Sequence, residues 1–426
     1  MSNVRAEIHR RIFLFLSIGL VFFIPIAQHI LPPVIILMTL NWLIDGRYIK
    51  NFPLIFKEKH RLLTFGLALL YVYYLIGILW SENYDYGWFD LEVKFSLFLF
   101  PLIFATTDKS SLNSKYRQNV LWAFVISCLT GMLILCINAF YRYSLYHIRD
   151  VFFYGGFCDS FHASYLAMYL VFATSIVAWF LMDKSVVFSS LLRYLLFGLI
   201  LFFLVMVFLL NSRAGILGLF LLIILVTLFL AFSRKKWSQS ILFFIAGSSI
   251  LFITYQLFPS AAEHFSNTSI VVDPRNKKVS VHQNESNSLR ILSWKASLQV
   301  ILENPLVGVG TGDVKDALME QYKKNGSTIP LHLKLNAHNQ YLQTFATLGI
   351  LGLFLLLLLL FQSAILSFRY KDYLYFAFLV LVAFNLLVES MLEQQAGVIF
   401  FAFFNTFFFV QASDNNKKKP PHRSGF

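Results

Sequence analysis

The sequence predicts an all-α polytopic membrane protein, with about twelve transmembrane helices and a large helical loop between the ninth and the tenth. Three observations carry that reading. Of 426 residues, 58% are hydrophobic and only 13% are charged, where soluble chains carry about 25% charged residues. The apolar residues come in runs close to the ~20 needed to cross a hydrocarbon core ~30 Å thick. The basic residues alternate from one inter-run segment to the next. Together these exclude a soluble enzyme, a disordered chain and a nucleic-acid-binding domain, despite a formal net charge of +13.

Twelve apolar runs lie at 12–31, 32–45, 62–80, 91–107, 119–140, 161–182, 191–210, 214–232, 240–258, 340–362, 372–388 and 395–412. The second and fourth are short, and Pro32-Pro33 and Pro101 blur their limits, so whether both cross fully stays open. No small-residue cleavage site follows the first run and further runs do, so it reads as a span rather than a signal peptide. With the N-terminus inside, 22 of the 35 lysines and arginines fall in cytoplasmic segments, Arg234-Lys235-Lys236 among them, as the positive-inside rule expects. The short outer loops hold only Arg142, Arg149 and Arg213, and the long loop holds nine more. Both termini are then cytoplasmic. Residues 1–258 contain nine spans, 259–339 the outer loop, 340–412 three more spans, and 413–426 a basic tail. Lys417-Lys418-Lys419 in that tail reads as a topology anchor, not a nucleic-acid contact. Cys128, Cys136 and Cys158 have neither a disulfide framework nor metal-ligand spacing.

Within the outer loop, Asn287 or Ser288 offers a helix N-cap. Leu289, Leu292, Ala296 and Val300 follow as one apolar stripe, and Asn304-Pro305 ends the helix after Glu303. Gly308-Val309-Gly310-Thr311-Gly312 lacks the Lys-Ser/Thr of a nucleotide loop and no strand precedes it, so it reads as a tight connection. A second helix, 313–325, puts Val314, Ala317, Leu318 and Tyr322 on one side and stops at Gly326. The loop is expected to be a small folded cap.

Three cationic or protonatable residues stand out on the outer side. Arg213 occupies a short polar break, Asn211-Ser212-Arg213, at the start of the eighth span. A helix N-terminus disfavours a bare cation but, with a guanidinium, makes an anion site; the other reading is an arginine reaching lipid headgroups. Arg290 shares a helix face with Trp294, and alone would be an ordinary surface residue. His338, in Asn336-Ala337-His338-Asn339-Gln340-Tyr341, lies where the cap re-enters the membrane. By itself it is an interfacial histidine, although imidazole is the side chain that ordinarily accepts a proton near pH 6.5. A transporter needs ionisable groups at mid-span; the sequence reading places only Lys94 within a span, and Glu389, Glu393, Asp159 and His162 at outer ends. That pattern favours chemistry at one membrane face. No His-Glu-x-x-His, Gly-x-Ser-x-Gly or paired-aspartate motif is present.

Ser-Arg-Ala-Gly at 212–215, Arg290 with Trp294, Glu-Asn-Pro-Leu-x-Gly-x-Gly at 303–310, and Ala-His-Asn-Gln-Tyr-Leu at 337–342 followed by Leu-Gly-Ile-Leu-Gly at 348–352 together resemble the O-antigen ligase and polymerase superfamily of bacterial surface-glycan assembly. The resemblance implies a metal-independent, inverting glycosyltransferase of the inner membrane, free of cofactors and facing the periplasm. It implies a donor glycan on undecaprenyl pyrophosphate and, for a ligase, a sugar hydroxyl of lipid A–core as acceptor. For a polymerase the acceptor is another lipid-linked repeat. It assigns Arg213 and Arg290 to the pyrophosphate and His338 to general-base work. Asn339, Tyr341 and Trp294 are candidate substrate contacts, as are Asp159 and His162 at the entry of the sixth span. Ligase is the first reading and polymerase the second; a polyprenyl-linked glycan transporter is the alternative from another class.

Overall fold

A computed structural model describes residues 2–108, 111–152, 154–158, 163–183, 186–233, 235–257 and 286–414, and among these every regular element is helical. Among the described residues, six helices are long and apolar enough to cross a membrane, or up to eight when each of two bent pairs is one span. The chain is a helical polytopic membrane protein. Each of the twelve apolar runs contains a helix, and the short runs show how local sequence cuts them. After α1 (Ser2–Phe23), α2 (Leu31–Asp45) begins with prolines in its first turn, where their missing N–H costs nothing. It stops at Gly46, which takes φ +72°. The chain then bends by 90° into α3 (Arg47–Lys57). Run 62–80 is divided between α4 (Lys59–Gly66) and α5 (Leu69–Gly77). Run 91–107 is divided between α6 (Tyr84–Lys94) and α7 (Ser96–Thr106).

Two compact units form, one from residues 1–123 and 292–426, the other from 124–291. Helix α8 (Ser114–Tyr146) passes from the first into the second. The second unit continues with α9 (Ala163–Met182), α10 (Ser190–Leu209), α11 (Arg213–Leu228) and α12 (Trp237–Leu257). A Cβ on Gly215 would meet Ala167 at 2.5 Å, so the glycine of Ser-Arg-Ala-Gly lets α11 close onto α9, as small residues do between membrane helices.

Helix α13 (Ser286–Glu303) begins in the second unit, which ends at Ile291, and continues into the first, which adds α14 (Val314–Lys324) and α15 (Thr328–His332). Helices α16 (Gln340–Arg369), α17 (Tyr373–Val388) and α18 (Gln395–Asp414) follow. The phenylalanine-rich α18 is a core helix, 94% buried over 395–412. Phe403 meets Phe100 at 5.5 Å, and Phe408 stacks on Tyr375 at 5.3 Å.

Among the described residues the segment before α16 forms α13, α14 and the short α15, the last of which the sequence reading did not foresee. Ala296, Val300 and Ile301 of α13 and Val314, Leu318 and Tyr322 of α14 share one buried core with Ala346 of α16. Leu289 and Leu292 are only half-buried. The glycine turn does more than connect. Helix α16 breaks at Gly349, φ +64°, which leaves carbonyls without intrahelical donors. Val309 and Gly310 N–H donate to the freed carbonyls of Ala346 and Thr347, at 3.0 and 2.9 Å, and Ile350 N–H donates to Pro305 O at 3.0 Å. On the turn's other side the Thr311 hydroxyl donates to Tyr74 O at 2.6 Å, and Gly312 N–H donates to Ser81 Oγ at 2.9 Å. A Cβ on Gly308 or Gly349 would fall within 2.4 Å of facing backbone, so only glycine admits this approach. The turn thereby ties the cap to α5 and α16.

Candidate active site

The segment 336–343 enters α16 through a strained turn that presents one imidazole. His338 has φ +46°, a left-handed conformation that costs a residue with a Cβ about 1–2 kcal/mol. Side chains on either side hold it there. Asn336 Oδ1 accepts the His338 N–H at 3.0 Å, an Asx turn, and Gln343 Oε1 accepts the Ala337 N–H at 3.1 Å. Asn339 caps α16, its Oδ1 accepting from Leu342 N at 3.1 Å.

The chain end of α17 supplies the partner. Glu389 terminates that helix in extended conformation, 5% exposed, and its Oε2 lies 3.2 Å from His338 Nδ1. An ionised carboxylate can only accept, so the arrangement places the ring proton on Nδ1 and leaves Nε2 as the basic nitrogen. Two further bonds clip the same turn to α16. Asn339 N–H donates to Ser390 Oγ at 3.2 Å, and Leu392 N–H to Gln340 Oε1 at 2.7 Å.

Beneath this turn lies a buried ion cluster. Lys94 is fully buried and pairs with Asp90, one turn back on α6, and with Glu393 at 3.0 Å. Its ammonium also sits 4.9 Å from the centre of the Tyr74 ring. Glu393 in turn accepts from Gln340 Nε2 at 3.4 Å. A buried ammonium needs such compensation, because an unpaired one costs several kcal/mol. The cluster therefore fixes α6, the 391–393 turn and the start of α16 to one another.

The structure brings four of the sequence-predicted residues together: His338, Asn339, Tyr341 and Trp294. The Trp294 indole N–H points at the His338 carbonyl, 3.5 Å away, so the tryptophan braces the histidine turn. The Tyr341 hydroxyl donates to Ala383 O at 3.0 Å, and Asn339 is occupied as a cap. Arg213 opens α11 in the second unit, one residue after Ser212, whose Oγ accepts from Gly215 N at 3.2 Å. Arg290 is half-buried on α13, four residues before Trp294. Asp159 and His162 lie outside the described residues. Sequence reasoning missed Glu389 as the histidine's partner, which stands 51 residues away in the chain. It also missed Asp90, whose i,i+4 spacing to Lys94 was the available signal.

Residues 197–357 match the family described as O-antigen ligase. The matched stretch is a little over a third of the chain and contains Arg213, Arg290 and His338, and it bears out the superfamily to which the motifs pointed. No curated protein matches the chain.

Proposed function

We propose that this membrane protein, with its O-antigen ligase stretch at 197–357, is a metal-independent, inverting glycosyltransferase. It moves a glycan from undecaprenyl pyrophosphate to a sugar hydroxyl of lipid A–core. The single observation that carries the reading is the His338–Glu389 pair, an imidazole whose Nδ1 faces a buried carboxylate at 3.2 Å. This is the orientation a general base requires. In the reaction the acceptor oxygen attacks the anomeric carbon from the face opposite the pyrophosphate. The new C–O bond forms as the C–O bond to phosphorus breaks, so the configuration inverts. The hydroxyl proton passes to His338 Nε2, Glu389 stabilises the resulting imidazolium, and the electron pair leaves on undecaprenyl pyrophosphate. Arg213 and Arg290 hold that leaving group, their planar forks taking the place of a divalent cation. In this reading the chain makes twelve crossings of the bacterial inner membrane with both ends cytoplasmic. The 259–339 loop is then a periplasmic cap between the ninth and tenth spans, and the basic tail at 413–426 remains inside.

The test is transfer by purified protein from a defined undecaprenyl-pyrophosphate glycan, offered lipid A–core or a second lipid-linked repeat. Product on lipid A–core, formed equally with a chelator present, is the expected result. Product only on the second repeat would make the protein a polymerase. Movement of the donor across the membrane without any transfer would make it a transporter, and strict dependence on Mg²⁺ or Mn²⁺ would remove the two-arginine assignment.

A further inference from the structure

Helix α3 turns 90° from α2 at Gly46, so it runs across the direction of that helix. Its inner side is fastened to the end of α7. Asn51 Nδ2 donates to Thr106 O at 2.7 Å and to Asp108 Oδ1 at 3.1 Å, and Arg47 donates to Asp108 Oδ2 at 2.6 Å. Ile55 is buried on the same side. The rest of the surface is divided lengthwise. Ile49, Phe52 and Phe56, spaced i, i+3 and i+7, make an exposed apolar strip. Lys50 and Lys57 make an exposed basic strip about 100° further round the helix, and exposed Lys59 at the start of α4 extends it. Pro53 lies between the strips and cannot donate to the Ile49 carbonyl. A hydrated headgroup layer can satisfy that carbonyl, whereas hydrocarbon cannot. Large apolar side chains on one flank and cations on the other match the membrane–water boundary.

The nearby acids are already paired. Asp45 and Asp108 share Arg47, and Glu58 meets Arg61 and His60. Among the described residues Lys50, Lys57 and Lys59 form no ion pair. Across 45–61 and Asp108, five lysines and arginines stand against three carboxylates, and Arg5 adds a cation at the bend by donating to Ile44 O at 2.5 Å. We infer that α3 is an in-plane anchor that binds anionic phospholipid, its apolar strip among the acyl chains and Lys50, Lys57 and Lys59 on the headgroup phosphates. Lysines beside a bilayer draw in anionic lipid. A second copy is a poor occupant, because two such faces would bring their lysines together. The inference does not depend on the glycosyltransferase reading; in the topology proposed above, α3 lies on the inner leaflet.

The experiment is titration of the full-length protein in detergent with phosphatidylglycerol or phosphatidylcholine, with bound lipid and oligomeric state both read by native mass spectrometry. The test variant is Lys50→Gln/Lys57→Gln/Lys59→Gln, at exposed positions where glutamine keeps the helix. The control, Lys315→Gln/Lys323→Gln/Lys324→Gln, removes as many exposed lysines from α14. The expected result is phosphatidylglycerol binding at least about tenfold weaker in the test variant, with phosphatidylcholine binding unchanged and the control like the parent. A second variant, Ile49→Gln/Phe56→Gln, is expected to weaken the binding of both lipids by unseating the strip. No loss in the lysine variant, an equal loss for both lipids there, or an equal loss in the control would overturn the proposal. So would unchanged lipid binding in the Ile49/Phe56 variant. A parent dimer that either α3 variant dissolves would make a second copy the occupant and overturn the lipid assignment.

Discussion

At the scale of single residues, Glu389 is the informative position. It touches no reacting atom; it fixes which imidazole nitrogen is basic. Glu389→Gln retains the shape but removes the charge that favours an Nδ1 proton and stabilises the imidazolium. A carboxamide there can donate to Nδ1, which puts the proton on the wrong nitrogen. The expected outcome is a fall in kcat of at least about 100-fold, on the scale of general-base contributions, with little change in KM. A KM effect alone would make Glu389 a binding residue. At the arginines, Arg213→Lys keeps the charge and loses the fork. Removal of one donor to a developing oxyanion ordinarily costs about 3–4 kcal/mol, and single-turnover transfer by the lysine variant should fall by a substantial part of that.

At the scale of elements, the contact between the glycine turn and the break in α16 holds α13 and α14 to the membrane helices. Gly349 has φ +64°, and a Cβ there would meet Leu306 O at 2.1 Å, so Gly349→Ala combines backbone strain with a clash. Strain of this kind alone costs about 1–3 kcal/mol; the expected result is a lower thermal midpoint in detergent and reduced yield. An unchanged midpoint would show that the turn is not tied to the helix. This lock also shows what the sequence could and could not reveal. Both cap helices were legible because their signals are local: Pro305, Gly326 and apolar spacing along a few turns. The pairing of the glycine turn with Ala346 and Thr347 was not, because those carbonyls become available only once α16 is broken. The His338–Glu389 contact and the Lys94–Glu393 pair were hidden for a related reason. Each joins residues from separate helices, and nothing in a run of apolar residues marks which ends will meet.

At the scale of the molecule, the buried ion cluster links membrane packing to the site. Lys94→Met would leave Asp90 and Glu393 buried without their cation, a loss that typically destabilises by about 3–5 kcal/mol. The triple change Asp90→Asn, Lys94→Met and Glu393→Gln removes every charge together and is expected to recover much of that stability, as measured by thermal unfolding in detergent. A single variant as stable as the parent would mean that the cluster is not holding α6 to the start of α16. Composition and the alternation of basic residues conveyed the helical membrane class directly, since both sum over the whole chain. How many runs cross was less legible, because the bends at Gly46 and between α4 and α5 depend on packing as well as length.

The central claim, that His338 removes the acceptor proton, is tested most directly by single-turnover transfer with His338→Ala. The assay takes protein shown to be folded and membrane-inserted, with lipid-linked donor and lipid A–core both saturating. The expected rate is lower by at least about 100-fold, with donor binding retained. Transfer at close to the parent rate would contradict that claim.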